Sequence, residues 1–102
     1  MQPFIEEKRE EIAELCRKHH VIRLSIFGSA VRDDFNPATS DVDVRVEFDD
    51  QAIERYARNF FDLEDALVEL LGRKVDILSS KTISNPYLRK AIEADQVLLY
   101  AD

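Results

Sequence analysis

From Asp41 to Asp49 the chain alternates without a break, with Val42, Val44, Val46 and Phe48 on one side and Asp41, Asp43, Arg45 and Glu47 on the other. A period of two over that length marks an extended strand with one apolar and one polar face. A strand alone cannot shelter four large apolar side chains, so the pattern demands a sheet with an apolar layer across its Val/Phe face. Two segments of helical period supply that layer. Residues 3–18 carry Pro3 in a first turn, Glu6, Glu7, Glu10 and Glu11 towards the N-terminal end, and Arg17 and Lys18 at the other, as the helix dipole favours. Ile5, Ile12, Leu15 and Cys16 fall near one face of that helix. Residues 51–71 place Ile53, Ala57, Phe60, Leu63, Leu67 and Leu70 along a second stripe, and Gly72 is the expected stop.

Three more strands are expected. In Val21–Phe27, Ile22, Leu24 and Ile26 alternate with Arg23 and Ser25; Lys74–Leu78 and Val97–Tyr100 are shorter apolar runs. Gly28-Ser29 ends the first strand and leads into a short helical turn through Arg32, and residues 33–40, with Asn36, Pro37 and Thr39, read as a loop. Asn85-Pro86 has the form of an N-cap and first residue of a short helix. The order α-β-(α)-β-α-β-α-β predicts an α/β or α+β fold: a small mixed sheet of about four strands flanked by helices, as a single domain over residues 1–102.

The balance of 14 Lys and Arg against 21 Asp and Glu leaves a net charge of −7, which argues against a chain that coats nucleic acid; no direct nucleic-acid binding is expected. No run of 18 apolar residues is present, so no membrane-spanning helix is expected. The first eleven residues lack the basic-then-apolar profile of a signal peptide. Cys16, the single cysteine, has no internal disulfide partner and fits a reducing cytoplasm.

Residues two apart on a strand share a face, which puts Asp41 and Asp43 about 6.6 Å apart at their α-carbons. Two carboxylates so placed can converge on a divalent metal, magnesium being the natural occupant beside phosphates. With 11 aspartates in 102 residues, an Asp-x-Asp arises about once by chance, so the pair alone is read more simply as a solvated strand face. Gly28-Ser29 shifts the weighing. A glycine at a strand end lets backbone amides approach an anion, Ser29 adds a hydroxyl, and Arg32, three residues on, faces the same side of a helical turn. Asp76 lies among Val75, Ile77 and Leu78, where a carboxylate needs a partner. It could complete a metal site, act as general base, or pair with an arginine. His19-His20 reads as a surface turn, and Cys16 as a small core residue.

Taken together, Gly28-Ser29-Ala30-Val31-Arg32, an eight-residue spacer that ends in Ser40, and Asp41-Val42-Asp43 resemble the signature of the polymerase-β-like nucleotidyltransferases. Residues 71–78, from Leu71-Gly72 through Asp76, resemble the third-acid strand of the minimal nucleotidyltransferases. Asn85-Pro86-Tyr87-Leu88, Ile92-Glu93 and residues 97–100 resemble their C-terminal end. The resemblance implies transfer of AMP from ATP with release of pyrophosphate. Gly28 and Ser29 would hold the triphosphate, Asp41 and Asp43 two magnesium ions, and Asp76 the acceptor side as ligand or base, with Arg32 orienting the loop or the phosphates. It also implies a HEPN-domain partner, a toxic ribonuclease that the chain neutralises as an antitoxin, by AMP transfer or by complex formation. Two residues depart from the family pattern. Asp33 stands where many relatives have glycine. Arg45 stands where an aliphatic residue is usual, on the face of Asp41 and Asp43, where it can pair with Glu47 or Asp76 or compete with metal. Arg45 and the short chain therefore also fit a second reading, a binding module with little or no catalysis. Exposed apolar positions on the first helix and on the 51–71 helix would suit a homodimer or partner surface.

Overall fold

The computed structural model describes residues 2–32, 35–36, 40–49, 55–80 and 83–102. Among these residues four helices and four strands follow in the order α1 (Pro3–Glu6), α2 (Arg9–Lys18), β1 (Val21–Phe27), a 3-10 turn (Gly28–Ala30), β2 (Val42–Phe48), α3 (Tyr56–Leu71), β3 (Val75–Ser79), α4 (Pro86–Asp95) and β4 (Val97–Ala101). The strands form one mixed sheet in the order β3-β2-β1-β4. β1 runs antiparallel to both β2 and β4, and β2 runs parallel to β3. This is the small mixed sheet with flanking helices that the alternation called for.

The apolar face of the sheet carries the core. Leu24 and Ile26, Val42, Val44 and Val46, Val75 and Ile77 are buried against Ile12 and Cys16 of α2 and Leu63 and Leu67 of α3. Each such side chain contributes about 1.5–3 kcal/mol of burial, so these two helices are held chiefly by what they cover. Gly72 closes α3 in the left-handed region at φ +67°, its N–H donating to the Val68 carbonyl at 2.8 Å. Asn85 caps α4 as expected, its side-chain oxygen accepting from the N–H groups of Tyr87 and Leu88.

Three expectations need correction. The predicted helix over 3–18 is two helices, because the Lys8 N–H closes back on the Ile5 carbonyl (3.0 Å) in a tighter turn. The first of them is tied elsewhere: the Gln2 N–H donates to the Ala30 carbonyl and its side-chain amide to the Arg32 carbonyl. In β1 it is Val21, not Ile22, that is buried at the start, since the ladder pairs Val21 with Phe48 and Arg23 with Glu47 and leaves Ile22 as a bulge. On α3, Ala57 is exposed; Tyr56 takes its place in the stripe by packing edge-on against Phe48, with ring centroids 5.4 Å apart. The expected helical start at 51–54 with Ile53, the Asp33 departure and part of the 33–40 loop lie outside the described residues. None of the described helices is long and apolar enough to cross a membrane.

Candidate active site

Because β1 arrives antiparallel to β2 while β3 leaves parallel to it, the C-terminal end of β1 meets the N-terminal ends of β2 and β3 at one end of the sheet. Register makes the meeting specific: Phe27 pairs with Asp43, and Asp43 with Asp76. Gly28 follows Phe27, and Asp41 stands one residue before β2. The topology thus gathers Gly28, Asp41, Asp43 and Asp76, residues spread over nearly half the chain, into one corner of the polar face.

Gly28 is required there twice over. Its φ of +74° is a conformation that L side chains rarely adopt, and a β-carbon on it would stand 2.6 Å from Oδ2 of Asp43. The carboxylate of Asp43 therefore lies directly against the backbone of the turn. Burial pushes the Asp43 carboxyl above its ordinary value, and the negative charges of Asp76 and Asp41 push the same way, against the pull of Arg32. The central acid is the one most in need of positive charge.

Cations are present around it, each with a job. Arg32 pairs with Asp95 at the end of α4, joining the loop after the 3-10 turn to that helix. The Lys74 ammonium spans the outer acids, 3.5 Å from Asp41 Oδ2 and 3.9 Å from Asp76 Oδ1. Arg45 does not compete for the three acids. It points along the sheet to the Ser80 hydroxyl (3.1 Å), the Gln96 side-chain oxygen (3.4 Å) and Glu93 (3.7 Å), pinning α4 across the polar face. Arg73 lies over the rings of Phe4 and Phe35, fastening α1 and the approach to β2 beside the start of β3. Just ahead of Asp41, Ser40 and Asn36 bond reciprocally: the Ser40 N–H to the Asn36 carbonyl, and the Asn36 N–H to the Ser40 hydroxyl oxygen.

The donor set is entirely carboxylate oxygen, the hard chemistry magnesium prefers. Among the described residues no group of three or more acid, histidine or cysteine side chains is placed to hold a metal ion by itself. That is compatible with magnesium, which commonly takes one or two carboxylates and completes its octahedron with substrate phosphates and water. The residues present fit the ion on those terms.

A family model for the nucleotidyltransferase domain matches residues 8–99. The chain belongs to the nucleotidyltransferase family. A relative from Methanocaldococcus jannaschii named "Putative protein adenylyltransferase" is 36% identical to this nucleotidyltransferase over 95 residues, covering 85% of this chain and 93% of that protein. A solved structure described as a "putative minimal nucleotidyltransferase" superposes with a TM-score of 0.77 at 31% identity, over 91% of this chain and 90% of that one. A chain from the complex of a tri-AMPylated Shewanella oneidensis HEPN toxin with an MNT antitoxin shares the fold, at TM-score 0.64 and 16% identity over 95% of this chain and 72% of that one.

Of the six site residues expected from sequence, the structure brings Gly28, Asp41, Asp43 and Asp76 together. Ser29 sits in the 3-10 turn beside them, and Arg32 faces α4. Lys74 and Asp95 were missed. Lys74 carries the same signal as Asp41, a position two residues from an acid on a strand; Asp95 carries none, being 63 residues from its partner.

Proposed function

We propose that this nucleotidyltransferase transfers AMP from ATP to a hydroxyl group of a partner protein, and that the partner is a HEPN-domain toxin for which it serves as antitoxin in the cytoplasm. The observation that carries the reading is the corner where Asp43, paired in register with Asp76 and flanked by Asp41, lies against the backbone of Gly28. The relative named as a protein adenylyltransferase and the neighbouring complex of an AMPylated toxin support the choice of AMP and of a protein acceptor.

In this reading Gly28 and Ser29 hold the triphosphate, and Asp41 and Asp43 hold two magnesium ions. Bound magnesium supplies charge neutralisation for the phosphates at the reacting centre. Asp76, on the neighbouring strand, serves the acceptor side as ligand or base. The acceptor oxygen forms a bond to the α-phosphorus, the bond from that phosphorus to the bridging oxygen breaks, and pyrophosphate leaves while the hydroxyl proton passes to Asp76 or to water. Phosphoryl chemistry of this kind asks the protein mainly for position and charge. The polar cavity farther along the sheet, lined by Arg23, Arg45, Glu47 and Glu93 among others, balances two cations with two anions.

The rival reading of an inert binding module drew on Arg45, and Arg45 is committed to Ser80, Gln96 and Glu93 instead of the acids. The deciding experiment is AMP transfer from labelled ATP to a cognate HEPN protein. Asp41→Asn with Asp43→Asn is expected to reduce transfer by at least a thousandfold while leaving the circular dichroism spectrum unchanged. Transfer retained by that double variant would overturn the catalytic reading, and neutralisation of the toxin that survives without transfer would favour the inert module.

A further inference from the structure

Lys74 immediately precedes β3, where its carbonyl accepts from the Val42 N–H at 3.1 Å, so its backbone is stitched to the strand that carries Asp43. Its side chain is largely exposed, at 71%, and yet its ammonium is aimed at two carboxylates, Asp41 and Asp76, at 3.5 and 3.9 Å. One monovalent cation therefore spans the outer members of an acidic row whose central member is Asp43. A long, exposed stem with a point-charge head can hold such a position and can also leave it at little cost.

We propose that Lys74 is a tethered counter-cation. It holds Asp41 and Asp76 together before substrate arrives and disfavours entry of a free divalent ion, so that metal enters the site together with the triphosphate. The inference rests on the reading of Asp41, Asp43 and Asp76 as the metal site. Its logic is electrostatic. A unit positive charge about 6 Å from a divalent ion, in a water-like dielectric, weakens binding of that ion about tenfold. An arriving triphosphate brings several negative charges, gives the ammonium another anion to pair with, and removes that penalty. Lys74 is a positioning residue in this scheme, acting on the acids and through them on the metal.

The test uses Mn2+ as the probe and needs no turnover. Equilibrium dialysis with electron paramagnetic resonance would measure Mn2+ bound to the wild type, Lys74→Met and Lys74→Arg, with and without the non-hydrolysable analogue AMP-PNP. Thermal unfolding would confirm that each protein is folded at the titration temperature. Lys74→Met is expected to bind Mn2+ alone about tenfold tighter than the wild type. The gain in Mn2+ affinity on adding the analogue should shrink by a similar factor, and Lys74→Arg should stay near the wild type. Equal or weaker binding of Mn2+ alone by Lys74→Met overturns the inference and leaves the metal site standing. Absence of protein-bound Mn2+ in all three proteins, with or without the analogue, overturns the metal reading and this inference with it.

Discussion

At the scale of single residues, the pair Gly28 and Asp43 shows how little separates structure from chemistry in this corner. The glycine is there because a carboxylate occupies the space of its missing side chain, and that carboxylate is burdened first by its burial and then by the two others that face it. A consequence follows for stability. The folded chain raises the Asp43 carboxyl above its unfolded value, so in the window between the two the native state binds the proton more tightly, and stability falls as pH rises through it. Above that window the ionised carboxylate burdens the metal-free fold. Asp43→Asn removes the charge and keeps the shape. In EDTA at pH 7 the variant should unfold at higher denaturant than the wild type, and the gap should close as pH falls towards 4. Ordinary surface substitutions stay within about 0.5 kcal/mol, so a gap no larger than that, or one independent of pH, would count against the electrostatic account.

At the scale of elements, legibility in the sequence tracks how far each decision is local. Alternation placed Asp43 on a strand, with Asp41 falling one residue before it, a short apolar run placed Asp76 on another, and Asn85-Pro86 and Gly72 marked helix ends that the structure reproduces. The start of β1 was not legible, because Val21 and Ile22 are both apolar and only pairing with Phe48 decides which of them is buried. The break at Lys8 carries no glycine or proline, so no local signal marks it; the short first helix it sets off is tied by Gln2 to Ala30 and Arg32. The turn between α2 and β1 gave only half its content. It is an exposed turn, but His20 sits in the left-handed region at φ +63°, its carbonyl held by the Asp49 N–H at 2.8 Å. A non-glycine residue there costs about 1–2 kcal/mol, against about 0.5–1 kcal/mol for the extra freedom glycine has when unfolded. His20→Gly should therefore stabilise the protein by about 0.5–1 kcal/mol, measured by urea unfolding with an unchanged slope. A loss of stability would mean that the imidazole makes a contribution the turn geometry does not reveal.

At the scale of the whole molecule, two long-range ion pairs tie the last helix to the elements around the acid corner. Arg32 to Asp95 and Arg45 to Glu93 fasten α4 to the loop and to β2. In the acid corner Lys74 spans only two of the three carboxylates, so a ligand that supplies positive charge there would link substrate binding to folding. A ligand that binds only the native state at ten times its dissociation constant adds about 1.4 kcal/mol, and in a domain of this size each kcal/mol moves the melting temperature by about 4–8 °C. ATP with magnesium at that concentration should raise the melting temperature by about 5–10 °C. ATP in EDTA should raise it by much less, since the triphosphate would then meet three carboxylates with the Lys74 ammonium spanning only two of them. The Asp41→Asn, Asp43→Asn double variant should lose the magnesium-dependent part while keeping a melting temperature in ligand-free buffer at or above that of the wild type. A full shift in EDTA would place the nucleotide on the protein without the acids, and the corner between β1, β2 and β3 would then have to be read as a phosphate site alone.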